Sequence, residues 1–253
     1  TQRDLLLPSA PLGYEDRRLA CQIDDFPNQP SEFFLADRWP DEKNIVITGN
    51  PVIDAMNFVV QQEEPQEITT LLERLGTRRL ETKRLILVTA HRRENFGKPF
   101  ENICYAIKEL ATREDVEIVY PVHLNPNVQE PVNRILKGTP RVTFLPPLDY
   151  RPMVHLMKHA KLLITDSGGL QEEAPSLGIP VLVLRETTER PEGIEAGTLK
   201  LVGTETNQIV REAERLLDDP AAHAKMAKAV NPYGDGHAAE RIIQTLVNSS
   251  EMF

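Results

Sequence analysis

The run Thr165-Asp166-Ser167-Gly168-Gly169-Leu170-Gln171-Glu172-Glu173 joins an apolar segment, Lys161-Leu162-Leu163-Ile164, to a helical pattern. In α/β proteins such a strand-to-helix junction is where phosphate binds. A helix beginning at the glycines leaves its first backbone N–H groups without partners and aimed at whatever occupies the turn. Gly168 and Gly169 allow the backbone to approach an anion with no Cβ in the way, and the Ser167 hydroxyl can add a hydrogen bond. Glu173 follows about one helical turn inward, placed for sugar hydroxyls. Alone, Ser-Gly-Gly fits an ordinary helix cap equally well, so the neighbouring loops decide.

Three further loops leave apolar runs in the same way. Thr89-Ala90-His91-Arg92-Arg93-Glu94-Asn95-Phe96-Gly97 offers a histidine that can move protons near neutral pH or meet a phosphate as a cation, beside two arginines suited to bidentate contacts. One of those arginines could equally pair with Glu94, as in any solvated charged loop. In Glu186-Thr187-Thr188-Glu189-Arg190-Pro191-Glu192, the proline restricts Arg190 to extended conformations. The guanidinium is then held either for a diphosphate or in a surface ion pair with Glu186 or Glu189. In Pro121-Val122-His123-Leu124-Asn125-Pro126-Asn127, one asparagine caps the next helix, and His123 reads as a satisfied structural histidine. His155 and His159 lie four apart, but no third ligand with metal spacing accompanies them, which argues against zinc. A Walker lysine motif and a GxGxxG fingerprint are both absent, which argues against a P-loop NTPase or a dinucleotide-dependent dehydrogenase.

The elements that would carry these loops alternate in type. Strands are expected at Ile45 to Thr48, Leu85 to Thr89, Val116 to Tyr120, Val142 to Leu145, Leu162 to Thr165 and Val181 to Leu184. Helices are expected at about 52–60, 66–76, 99–113, 127–137, 150–159 and 169–178, then 208–217, 221–229 and 237–247. That alternation predicts an α/β fold, a Rossmann-like parallel sheet with helices on both faces and ligands at the carboxyl ends of the strands. Residues 1–44 read as an irregular segment or the remnant of an amino-terminal domain, 45–230 as the nucleotide-binding domain and 231–253 as a closing helix.

With 253 residues, 40% hydrophobic and 26% charged, the chain can bury a substantial core and has no apolar run long enough to cross a membrane. A net charge of −9 disfavours broad nucleic-acid or anionic-membrane surfaces, so a negatively charged ligand must be captured locally. Cys21 and Cys104 lack metal-ligand spacing and read as reduced thiols of a cytoplasmic protein.

Taken together, Val46-Ile47-Thr48-Gly49-Asn50-Pro51-Val52-Ile53-Asp54, the histidine-arginine loop, Pro121-Val122-His123, the Ser-Gly-Gly run, Thr187-Thr188-Glu189-Arg190-Pro191-Glu192 and Asn231-Pro232-Tyr233-Gly234-Asp235-Gly236 resemble the bacterial non-hydrolysing UDP-N-acetylglucosamine 2-epimerases. The resemblance covers roughly residues 31 to 247. It implies a glycosyltransferase-B-like architecture of two Rossmann-like domains with UDP-sugar between them, of which this chain resembles the carboxyl-terminal one. It implies interconversion of UDP-GlcNAc and UDP-ManNAc, for surface-polysaccharide precursors, by elimination of UDP and its re-addition, with no metal or nicotinamide cofactor.

Carried over by position, Ser167, Gly168 and Gly169 would hold the diphosphate, Glu173 the ribose, and Arg190 and His91 the phosphate end, with His91 as the catalytic candidate. Arg92, Arg93 and His123 are assigned by the same resemblance to a regulatory UDP-GlcNAc site, and the family's habit implies a homodimer. The family's amino-terminal Gly-Thr-Arg-Pro-Glu loop and its proton-transfer acids find no match, leaving Asp24, Asp25 and Glu32 as the nearby acids. The amino-terminal domain is therefore expected to be missing or truncated, with UDP binding weakened and catalysis poor or absent. The alternatives are a UDP-sugar glycosyltransferase of the same architecture and a nucleotide-binding domain without catalysis.

Overall fold

The computed structural model describes residues 46–77 and 83–250. Six strands form one parallel sheet: β1 (Arg84–Thr89), β2 (Val116–Pro121), β3 (Val142–Leu145), β4 (Leu162–Thr165), β5 (Val181–Val183) and β6 (Leu199–Leu201), in the order β3-β2-β1-β4-β5-β6. The strand order reverses direction between β1 and β4, so their outgoing loops diverge and open a crevice at the carboxyl end of the sheet.

Parallel strands covered on both sides read as unbroken apolar runs, as in Leu85-Ile86-Leu87-Val88, all of it buried. Successive residues face opposite layers. Ile86, Val88, Leu162 and Ile164 pack with α3 (Lys98–Leu110), α4 (Pro126–Leu136) and α8 (Thr206–Asp218). Leu85, Leu87, Leu163 and Val181 pack with α1 (Pro51–Val60), α2 (Gln66–Leu75) and α5 (Tyr150–Lys158). The helices bury one face each because their apolar residues recur at three and four: in α3, Phe100, Ile103, Cys104, Ile107 and Leu110 point inward. Asn125 is the asparagine that caps α4, accepting from Asn127 N at 2.9 Å.

Three expectations are corrected. Val46 to Asn50 is irregular, not a strand. Its β-branched run has no neighbouring strand among the described residues, Val46 and Ile47 stay half exposed, and Asn50 turns the chain into α1 by accepting from Val52 N at 3.0 Å. The expected helix over 169–178 is a shorter α6 (Gly168–Glu173) that tightens into a 3-10 turn at Ala174–Leu177. Two short elements, α7 (Pro191–Glu195) and β6, were not expected; five and three residues are too few to show a period.

After α8, α9 (Pro220–Ala227) and α10 (Ala238–Ser250) complete the described chain, close to their expected bounds. Asp54 of α1 caps α10, its carboxylate accepting from Ala238 N at 3.1 Å and Ala239 N at 2.9 Å. Residues 1–44, including Asp24, Asp25, Glu32 and Cys21, lie outside the described residues.

The core around α3 has a measurable anchor in Phe100, which is fully buried. Phe100→Ala should lower the unfolding free energy by about 3–5 kcal/mol, read as a reduced urea midpoint with unchanged slope.

Candidate functional site

At the ends of β1 and β4, Thr89 and Thr165 are register partners whose hydroxyls meet at 2.6 Å. Asp166, the next residue, has no exposed surface, and its carboxylate faces back toward the β1 loop. It accepts from His91 N at 2.9 Å, from Arg92 N at 2.8 Å and from Asn95 Nδ2 at 3.1 Å. Asn95 also donates to the Leu184 carbonyl at 3.1 Å, bringing in the end of β5. From the other side the buried Tyr120 hydroxyl donates to the Ala90 carbonyl at 2.8 Å. A buried carboxylate is tolerated only when such donors replace its water. Here they fix the histidine-arginine loop against the Ser-Gly-Gly turn. The loop ends at Gly97, whose φ of 84° and ψ of −135° suit glycine alone.

His91 and His123 stack with ring centroids 5.3 Å apart, so the loops after β1 and β2 meet at the crevice. His123 Nδ1 accepts from Asn125 N at 3.1 Å, the structural satisfaction expected of it. His91 Nδ1 lies 3.6 Å from Asp166 Oδ1, beyond hydrogen-bond distance, so the ring feels the carboxylate electrostatically. Burial holds the His91 pKa below the ordinary histidine value; Asp166 opposes that shift, while His123 and Arg92 add to it. A Cβ placed on Gly168 would come within 3.4 Å of Arg92 Nη2, so the Arg92 guanidinium sits over the glycine turn. Of the three residues assigned to a regulatory site, Arg92 and His123 thus join the same cluster as the nucleotide candidates, whereas Arg93 is exposed in a 3-10 turn, Arg93–Asn95.

Ser167 occupies the N-cap position of α6 without a side-chain cap bond, so its hydroxyl is not consumed by the helix. The three residues after Leu170 each reach a different element. Gln171 holds the Ser167 carbonyl at 3.1 Å and accepts from the Thr188 hydroxyl at 2.7 Å. Glu172 binds Arg190 Nε and Asn50 Nδ2 through its two carboxylate oxygens, and its carbonyl accepts from Asn231 Nδ2 at 3.0 Å. Glu173, nearly buried, accepts from the Tyr150 hydroxyl at 2.7 Å.

Arg190 departs from the sequence reading in two respects. Its backbone is at φ −123° and ψ 56°, not extended, because the residue serves as the N-cap of α7 and its amide is turned onto Thr188 Oγ1 at 3.0 Å. An ion-pair partner that the sequence did not suggest is Glu172. Neither Arg92 nor Arg93 takes Glu94, which lies 2.6 Å from Arg185 Nε, close enough for an ion pair though off the line of a hydrogen bond. Glu189 receives Arg185 as well, at Nη2 2.7 Å. Asp166, Asn95, Glu172 and Arg185 are the site residues that sequence reasoning did not single out. The available signal was a polar residue directly following an apolar strand, as at Asp166 and Arg185.

Among the described residues no helix is long and apolar enough to cross a membrane. No group of three His, Cys, Asp or Glu side chains there is arranged to hold a metal ion. His159 Nε2 instead meets Glu64 Oε2 at 2.5 Å, and His155 is buried in the neighbouring turn.

Asp166→Asn would aim an amide at N–H groups that need an acceptor. It should cost about 2–4 kcal/mol in urea unfolding and speed amide exchange in 90–96 and 165–169 without affecting α4. The Arg185 ion pair holds Glu189 down to about 2, below the ordinary glutamate value of 4.5. With the folded pKa depressed, its contribution is complete above about pH 5 and is lost as pH falls toward 2. Since the Glu189 side chain is 53% exposed, solvent screening keeps it small. The melting-temperature gap between the native chain and Glu189→Gln should therefore stay constant from pH 7 to about pH 5 and narrow as the pH falls further toward 2.

The sequence profile of the UDP-N-acetylglucosamine 2-epimerase family matches residues 26–247. A UDP-N-acetylglucosamine 2-epimerase of Yersinia pestis is 52% identical over 226 residues, which are 88% of this chain and 60% of that protein. S. aureus MnaA in a co-structure with UDP superposes with a TM-score of 0.76 at 40% identity, over 93% of this chain and 60% of that one. The UDP-GlcNAc 2-epimerase of Neisseria meningitidis bound to UDP-GlcNAc superposes with a TM-score of 0.72 at 39% identity, over 97% of this chain and 67% of that one. This chain thus spans about 60% of the length of the Yersinia relative. With its sheet order, its loops and its sequence in agreement over most of its length, the chain belongs to the UDP-N-acetylglucosamine 2-epimerase family.

Proposed function

We propose that this chain supplies the UDP-binding half of a non-hydrolysing UDP-GlcNAc 2-epimerase, an isomerase that interconverts UDP-GlcNAc and UDP-ManNAc. The observation that carries this reading is the tie made by buried Asp166, which holds the His91 loop against the Ser167-Gly168-Gly169 turn where the strand order reverses. A nucleoside diphosphate bound there has its phosphates at the turn. Ser167, with a hydroxyl not used by the helix, and the leading N–H groups of α6, with its 3-10 continuation, face negative charge. Gly168 and Gly169 keep the approach open, and Arg92 stands over Gly168.

Glu173 takes the ribose hydroxyls. Arg190, oriented by Glu172, supports the phosphate end together with His91. When UDP leaves C1 of the sugar, negative charge grows on its β-phosphate, and Arg190, the Ser167 hydroxyl and the leading N–H groups of α6 stabilise it. His91, held neutral by burial, keeps one ring nitrogen as an acceptor or relay for a proton at that end.

The residue division at about 45 and 231, action as a homodimer in the cytoplasm, and a second UDP-GlcNAc bound through Arg92, Arg93 and His123 belong to the same proposal. They are supported by the family resemblance, and the second site also by the stacking of His91 on His123.

Calorimetric titration of the 253-residue chain with UDP tests the site. Ser167→Ala and Glu173→Ala should each weaken binding by roughly 1–3 kcal/mol, and unchanged affinity in both removes it. Proton NMR with UDP-GlcNAc in deuterated water, on the same sample, reads exchange at C2 and the appearance of UDP-ManNAc.

A further inference from the structure

Among the described residues, Tyr150 is the hydrogen-bond partner of Glu173, its hydroxyl 2.7 Å from Oε1. The two residues come from different elements. Tyr150 is the first residue of α5, just past the loop that leaves β3, and Glu173 closes α6. The neighbouring side chains of α6 are committed elsewhere: Gln171 to Ser167 and Thr188, and both oxygens of Glu172 to Arg190 and Asn50. Glu173 Oε2 is thereby the one carboxylate oxygen of this run without a partner among the described residues.

The chemistry of Tyr150 suits holding rather than packing. The residue is 42% exposed, so its ring contributes little to the core, yet its hydroxyl is spent on a carboxylate that is 5% exposed. Burial and the Glu173 hydrogen bond push the phenol well above its ordinary pKa, so it stays a donor at every working pH. A carboxylate with one oxygen fixed has its second oxygen fixed as well, since the group is planar and its remaining rotation is lost.

Resting on the UDP site proposed above, we infer that Tyr150 is a positioning residue for the nucleotide. It anchors Oε1 of Glu173 so that Oε2 is held toward the vicinal diol of the ribose, and it makes the site selective for ribonucleotides over nucleotides lacking that diol. It need not touch the nucleotide itself.

The test compares UDP with 2′,3′-dideoxyuridine diphosphate by calorimetry on the native chain, Tyr150→Phe and Glu173→Gln, with melting temperatures recorded for each. The native chain binds UDP more tightly than the dideoxy ligand. Tyr150→Phe should weaken UDP about 3- to 10-fold and leave the dideoxy ligand unchanged, so that the ratio shrinks. Glu173→Gln, which puts an amide donor on one of the two positions, should bring the ratio close to one.

A native ratio retained in Tyr150→Phe, with the Glu173→Gln ratio lost, overturns the positioning role and leaves the UDP site standing. Equal weakening of both ligands by Tyr150→Phe also overturns it, since that is the behaviour of a purely structural hydroxyl. A native chain that binds UDP yet does not distinguish the two ligands removes Glu173 from the ribose and the inference with it.

Discussion

The Asp166 carboxylate is the constraint on which the rest of this site depends. It is a full charge without exposed surface, and the groups that compensate it are the amides of His91 and Arg92 and the side chain of Asn95. Those donors belong to another loop, so the charge is stable only while the loops after β1 and β4 stay together. Hydrogen bonds to a buried charge contribute more than those between neutral groups, on the order of 1.5–3 kcal/mol each. The exposed ion pairs nearby, by contrast, contribute about 1 kcal/mol or less. The geometry around Ser167 is thus set from beneath, by an interaction that never meets a ligand. His91 and Arg92 give their backbones to Asp166 and keep their side chains for the crevice.

Much of this arrangement was legible in the chain. Five apolar runs form strands within a residue or so of their expected bounds, and each polar loop singled out leaves the carboxyl end of one of them. A parallel sheet covered on both faces announces itself in this way because most residues of its central strands are apolar, as in Leu85-Ile86-Leu87-Val88 and Leu162-Leu163-Ile164. The run at Val46 and Ile47 has the same composition and forms no strand, since β propensity needs a neighbouring strand to act on and the described residues offer none beside it. β6 was hidden for the opposite reason, being a strand of three residues with Lys200 at its centre.

Partner choice was the less legible part. Arg190 pairs with Glu172, eighteen residues earlier in the chain, and Glu94 passes over its neighbouring arginines for Arg185. Sequence proximity predicts ion pairs on a helix, where spacing is fixed, but not between loops whose separation is set by the sheet beneath them. The sequence places Asp166 within a motif without marking it as the keystone, because nothing local shows that a carboxylate points inward.

Gln171, Glu172 and Glu173 project from α6 about 100° apart, each toward a different part of the molecule. The helix works like a three-way index. A conservative substitution at any of these positions disturbs one connection, whereas a length change of one residue in α6 would rotate all three: an insertion hands the place of Glu173 to Glu172 and that of Glu172 to Gln171, and a deletion hands the place of Glu173 to Ala174 and that of Glu172 to Glu173. The segment is therefore far less tolerant of length variation than of replacement, and lineages that diverge here should do so at fixed length.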